Sequence, residues 1–134
     1  MIARIAGYAS VFDVADKGHD VVRRGAFAGA PPGLPLLWQH AADEPIGRVE
    51  RLAEDAKGLR VIAGLADTRR GREALALVRS GALTGLSFGY RVKRGRAMRT
   101  GRELLAVELI EVSLVTFPMQ PLARVLGVGE VETI

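Results

Sequence analysis

Residues 84–93, Thr84-Gly85-Leu86-Ser87-Phe88-Gly89-Tyr90-Arg91-Val92-Lys93, alternate without a break. Leu86, Phe88, Tyr90 and Val92 fall on one side and Ser87, Gly89 and Arg91 on the other, and a period of two is that of a strand. Downstream, residues 103–117 (ELLAVELIEVSLVTF) predict one long, mostly apolar strand, or two joined by a bend, ended by Pro118 and Pro121. Upstream, residues 46–54 and 59–65 flank the turn Asp55-Ala56-Lys57-Gly58 and read as a β-hairpin. Leu36-Leu37-Trp38-Gln39 is a short buried strand, punctuated by Pro35 and broken after it by Pro45. Residues 2–12 form an opening strand, and Asp20-Val21-Val22 a short one. Only residues 69–81 (RRGREALALVRSG) form a convincing helix, with Asp67 or Thr68 as its cap, Leu75, Val78 and Ala82 at helical spacing, and Gly81 as its stop. Residues 94–102 read as a basic loop, and the chain from Leu122 is weakly patterned. Many strands and one helix predict a β-rich α+β single domain: a mostly antiparallel, barrel-like sheet, closed or nearly so, with few flanking helices. The expected division is a domain over 1–125 and a C-terminal tail over 126–134.

At 134 residues the chain supports one core without a disulfide or metal staple. It has no Cys, which excludes thiol nucleophiles, disulfide scaffolds, iron–sulfur clusters and Cys-rich zinc sites. With His19 and His40 as its only histidines, a three-His metal site is excluded too. No apolar run approaches the roughly 20 residues of a membrane span. The N-terminus lacks the pattern of a signal peptide, so the chain reads as intracellular when made. A net charge of +4 permits acidic partners without establishing nucleic-acid binding.

The chemistry-bearing residues are few. Gly85-Leu86-Ser87-Phe88-Gly89 fits G-x-S-x-G, the nucleophile elbow of α/β-hydrolases, but its setting does not. An elbow lies between strand and helix, whereas the alternation runs straight through Ser87, and both histidines precede it. What remains is a hydroxyl opposite the apolar face, between glycines that permit close approach by another chain, or else a solvated serine. His40 ends a buried strand, where an imidazole can be held with one nitrogen accessible or serve only as an edge residue. His19 lies in turn chemistry and is expected in solvent. Glu111 interrupts an apolar run, and a buried carboxylate there needs a histidine or arginine partner. Glu108 interrupts the same run with opposite parity, so in a regular strand the two cannot face one site. Either could instead face outward from a half-exposed sheet. Ser113 shares the parity of Glu111 and is a second candidate nucleophile, or a packed hydroxyl. Arg91, Lys93, Arg94, Arg96, Arg99 and Arg102 could grip an acidic partner, but they lack interleaved aromatics and read as a solvated hairpin tip.

Five blocks recur in one order: Gly7-Tyr8-Ala9-Ser10-Val11-Phe12; Arg24-Gly25-Ala26-Phe27; Leu36-Leu37-Trp38-Gln39-His40 with Pro45-Ile46-Gly47; residues 81–90 (GALTGLSFGY); and Glu111-Val112-Ser113-Leu114-Val115-Thr116-Phe117-Pro118. Over about residues 7–125 the chain resembles the prohead (capsid maturation) serine proteases of tailed phages, distant relatives of the herpesvirus capsid protease assemblin. The resemblance implies an assemblin-like fold and a serine endopeptidase, with Ser87 as nucleophile, His40 as general base and acid, and Glu111 as third member. Assemblin uses a second histidine at that third place, and this chain has none after His40. The resemblance also makes Arg124 the positional counterpart of an arginine that serves the oxyanion site. It implies no cofactor and no metal. The implied substrates are the scaffolding segment of the major capsid protein and the protease itself, cleaved inside assembling proheads in the bacterial cytoplasm. The implied source is a phage, a prophage or a phage-derived gene transfer agent. A homodimer follows by analogy with assemblin; neither a membrane nor a nucleic-acid partner is expected. Two other functions fit the residues: a catalytically silent assembly module of the same fold, and a small basic nucleic-acid-binding β-barrel.

Overall fold

The computed structural model describes residues 1–130. Eight strands and one helix follow in the order β1 (Ala3–Val11), β2 (Asp20–Val22), β3 (Pro35–Trp38), β4 (Ala41–Glu54), β5 (Gly58–Leu65), α1 (Arg69–Ser80), β6 (Gly85–Ala97), β7 (Arg102–Val115) and β8 (Val125–Glu130). One sheet runs β2-β7-β3-β4-β5-β1-β8, with β6 also paired to β7. Most pairings are antiparallel, while β2 and β3 run parallel to β7. Backbone bonds from Leu86 N–H to the Ala123 carbonyl, Val125 N–H to Thr84 and Tyr8 N–H to Arg124 draw the start of β6 toward β1, so the sheet nearly closes on itself.

Apolar side chains of alternating parity fill the interior. Ile5, Leu36, Ile46, Leu59, Leu65, Leu86, Leu104 and Leu114 are each almost wholly buried. Helix α1 lays Ala74, Leu75 and Val78 on the β4–β5 side. Thr68 caps it by accepting the Gly71 N–H, and Gly81 ends it at φ 81°, a left-handed conformation that glycine adopts without a Cβ penalty. Ala82 lies beyond the helix and is exposed.

Three expectations change. Pro45 does not break the chain; it lies within β4, opposite Leu37, where register shifts on either side remove the need for its missing N–H. The basic stretch is not a loop, because β6 reaches Ala97, β7 starts at Arg102, and only a tight turn lies between. The weak pattern after Leu122 hides β8, which pairs with β1; the boundary expected at 125 is its first residue, and residues 131–134 of the expected tail lie outside those described.

A further difference bears on function. Gly89 stands opposite Glu111 and Tyr90 opposite Leu109, so Ile110 is an extra residue in β7. This bulge reverses the parity of the strand. Leu109, Val112 and Leu114 keep their core positions, while Glu108 and Glu111, expected on opposite faces, both leave the core side.

Candidate active site

Ser87 lies on β6 directly opposite Ser113 on β7, and Ser113 is in turn level with Leu37 on β3. With Leu86 and Phe88 packed on the core, Ser87, Gly89, Glu111 and Ser113 share the outer face. Ser87 retains 8% exposure, and its hydroxyl has no hydrogen-bond partner among the described residues. Beyond the start of β6 the other edge of that strand is also unpaired among the described residues.

The two glycines beside Ser87 serve opposite neighbours. A Cβ on Gly89 would stand 2.4 Å from Glu111 Oε1 and 3.0 Å from its Cγ, so the carboxylate lies across a position that only glycine leaves empty. A Cβ on Gly85 would stand 2.7 Å from Pro118 Cδ, which seats the segment after β7 against the start of β6.

His40 is held by backbone geometry that few residues adopt. Trp38, the last residue of β3, pairs with Ala41, the first of β4, and Gln39 and His40 alone join them. Both are left-handed, at φ 51° and 59°. A two-residue hairpin with both central residues at positive φ is a type I′ turn, which ordinarily selects Asn and Gly. Holding two other residues there costs of order 1–3 kcal/mol each and requires restraint from outside. Gln39 supplies part of it, donating from Nε2 to Thr116 Oγ1 at 2.7 Å and accepting the Thr116 N–H at 3.1 Å. Helix α1 supplies more, since the Arg70 guanidinium lies 4.8 Å from the Trp38 ring centroid and pairs with Glu44 on β4.

From this turn His40 Nδ1 meets Glu111 Oε1 at 2.6 Å. The acid side chain is only 9% exposed and the imidazole 43%. The Glu111 hydrogen bond raises the His40 pKa above its ordinary value; burial opposes this and the carboxylate charge reinforces it. The ion-pair stabilisation is complete below the ordinary pKa and is lost as pH rises through the raised one. In the neutral form a carboxylate on Nδ1–H fixes the tautomer and presents Nε2 as a base. Nε2 has no hydrogen-bond partner among the described residues.

The remaining candidates lie elsewhere or are otherwise engaged. Ser113 is fully buried and donates to Glu111 Oε2 at 2.5 Å, an arrangement that shuts it away from any substrate. Glu108 is exposed opposite Arg91. His19 is exposed in the turn before β2, where its carbonyl accepts the Arg102 N–H. The Arg124 guanidinium binds Thr84 Oγ1 and the Pro121 carbonyl. In the basic stretch, Arg91, Arg96 and Arg102 pair with Glu108, Glu103 and Asp20. A concavity of about 280 Å³ between Phe27 and Leu59 contains none of these groups; the Glu54 carboxylate there caps the Gly25 and Phe27 N–H groups. The Gln39–Thr116 clamp escapes sequence reading, because the usual signal of a two-residue hairpin, Asn-Gly, is absent.

The sequence model of the family described as caudovirus prohead serine protease matches residues 1–132. The chain is 32% identical over 137 residues to the prohead protease of Enterobacteria phage HK97, an alignment covering 96% of this chain and 61% of that protein. It is 33% identical over 127 residues to a capsid polyprotein of Pseudomonas phage PAJU2, covering 87% of this chain and 19% of that one. The chain thus spans about three fifths of the first relative and about a fifth of the second. Among solved structures, the fold is similar to the KSHV protease in complex with a hexapeptide phosphonate inhibitor (TM-score 0.70, 12% identity, 98% of this chain and 66% of that one). It is also similar to the varicella-zoster virus protease (TM-score 0.62, 16% identity, 96% and 64%). The assemblin-like fold expected from the sequence is the fold observed.

Proposed function

Because the chain belongs to the caudovirus prohead serine protease family, we propose that it is a serine endopeptidase in which Ser87 is the nucleophile, His40 the general base and acid, and Glu111 the group that orients the imidazole. The observation that carries this reading is the His40–Glu111 contact, made on the face that bears Ser87. A serine hydroxyl is a weak nucleophile until an adjacent imidazole takes its proton. His40 Nε2 accepts that proton as Ser87 Oγ attacks the scissile carbonyl, then returns it to the leaving amine. Glu111 stays ionised and balances the imidazolium. The unpaired edge of β6 gives an extended substrate segment backbone groups to bond beside Ser87.

The substrate is the scaffolding segment of a capsid protein, together with the protease itself, cleaved within the assembling prohead. A segment similar to this chain within a capsid polyprotein supports that reading. No described helix is long and apolar enough to cross a membrane.

Fluorophosphonate labelling tests the catalytic assignment. One adduct, mapped to Ser87, is expected. No labelling of the folded chain would favour an inactive assembly module, and an adduct on Ser113 would overturn the choice of serine.

The pH dependence follows from the sign of the His40 shift. Acylation should rise with pH through a midpoint above the ordinary histidine value, because only the neutral imidazole is a base. Glu111→Gln removes the charge that holds the proton and should move the midpoint down. A rate profile from pH 5 to 9 reads both, and a midpoint insensitive to Glu111→Gln would detach the acid from the base.

A further inference from the structure

Ser113 has no part in the chemistry above, yet its hydroxyl is the most constrained group of the site. It is wholly buried on β7, two residues after Glu111, and lies between the strands that carry Ser87 and the His40 turn. It donates its one proton to Glu111 Oε2 at 2.5 Å and accepts the His40 backbone N–H at 3.1 Å. A hydroxyl has one proton to give and lone pairs to receive, so both functions are in use. Its two partners are the acid and the main chain of the base.

We infer that Ser113 is a positioning residue for the proposed reaction: its hydroxyl fixes the Glu111 carboxylate and the His40 backbone relative to each other. The geometry makes this specific. Glu111 has two oxygens; Oε1 meets the imidazole and Oε2 meets Ser113, so the carboxylate cannot rotate without losing one partner. His40 sits at a left-handed φ, and its N–H would otherwise face a buried strand. The Gln39–Thr116 bonds restrain the first residue of the turn, and Ser113 restrains the second.

The inference rests on the proposed catalytic roles of His40 and Glu111, and its test separates the two. Ser113→Ala should lower the turnover of a peptide substrate roughly 10–100-fold with KM nearly unchanged, since no substrate contact is lost. Threonine and valine are alike in size, but only threonine keeps the hydroxyl. Ser113→Thr should therefore recover most of the rate and Ser113→Val should not, and this pair serves even where the alanine variant fails to fold. Equal rates for Thr and Val, or an undiminished rate for Ser113→Ala, would overturn the inference. A second readout needs no catalysis. The chain has two histidines, so NMR titration resolves His40 against exposed His19. With Ser113→Ala the loosened carboxylate should let the His40 midpoint fall toward the ordinary histidine value; an unmoved midpoint would overturn the inference. Should the wild type fail to acylate at Ser87, the catalytic reading falls, and the titration still decides whether Ser113 holds the pair.

Discussion

Ser87→Ala is expected to abolish cleavage of a co-expressed capsid protein while leaving the fold intact. The substitution deletes one oxygen from the outer face of β6, where that oxygen has no hydrogen-bond partner among the described residues. Nothing in the core loses a contact, so the thermal midpoint should stay within a few degrees of the parent. Activity should fall about 10⁶-fold in kcat, the loss typical when a triad member is removed. In the proposed mechanism His40 and Glu111 cannot compensate, because they act on the proton of a hydroxyl that is gone. Gel analysis of capsid processing gives the first measurement and thermal denaturation the second. Full processing by the variant would remove Ser87 from the mechanism.

Gly89→Ala should cripple the proposed reaction without touching any reacting atom. Gly89 stands opposite Glu111, and a methyl group there would come within 2.4 Å of Oε1, the oxygen that binds His40. The carboxylate is not a free end that can swing aside, since its Cγ would lie at 3.0 Å and its other oxygen is held by Ser113. The added carbon therefore displaces the acid from the imidazole. A misplacement of about 1 Å in a catalytic constellation can cost on the order of 100-fold, and that is the expected loss in kcat. The midpoint of the pH profile should fall as it does in Glu111→Gln. Combining the two substitutions should cost little more than either alone, because both remove one contact. Additive losses would mean that Gly89 serves something other than Glu111.

The fold and the site differ in how much of each the chain displays. Two-residue alternation in residues 84–93 is enough for β6, because packing one face against a core requires it. Ser87 was legible as a hydroxyl opposite that face, and Glu111 as a charge in an apolar run. The bulge at Ile110 was not. Nothing in Leu109-Ile110-Glu111 marks an extra residue, and the shift arises only when β6 is laid beside β7. Parity alone therefore separated Glu108 from Glu111, which the bulge returns to one side of the strand. The turn that carries His40 was hidden for a similar reason. Gln39 and His40 have no intrinsic bias to positive φ, and they are held there by Thr116 and Ser113, both more than 70 positions away. Pro45 resembles a break because a regular strand uses every N–H, whereas the shifted register around Leu37 leaves its position without that need.

The parallel pairing of β3 with β7 also has a kinetic meaning. His40 and Glu111 stand 71 positions apart, and the turn and strand that carry them meet through this pairing. Contacts of such high separation form after the long intervening loop has been closed, and they are slow to appear. A nascent chain that has not yet reached β7 therefore carries His40 but no Glu111 to orient it. In the proposed reaction, cutting therefore waits until β7 has been made and has paired with β3, so the order of synthesis and folding delays its onset.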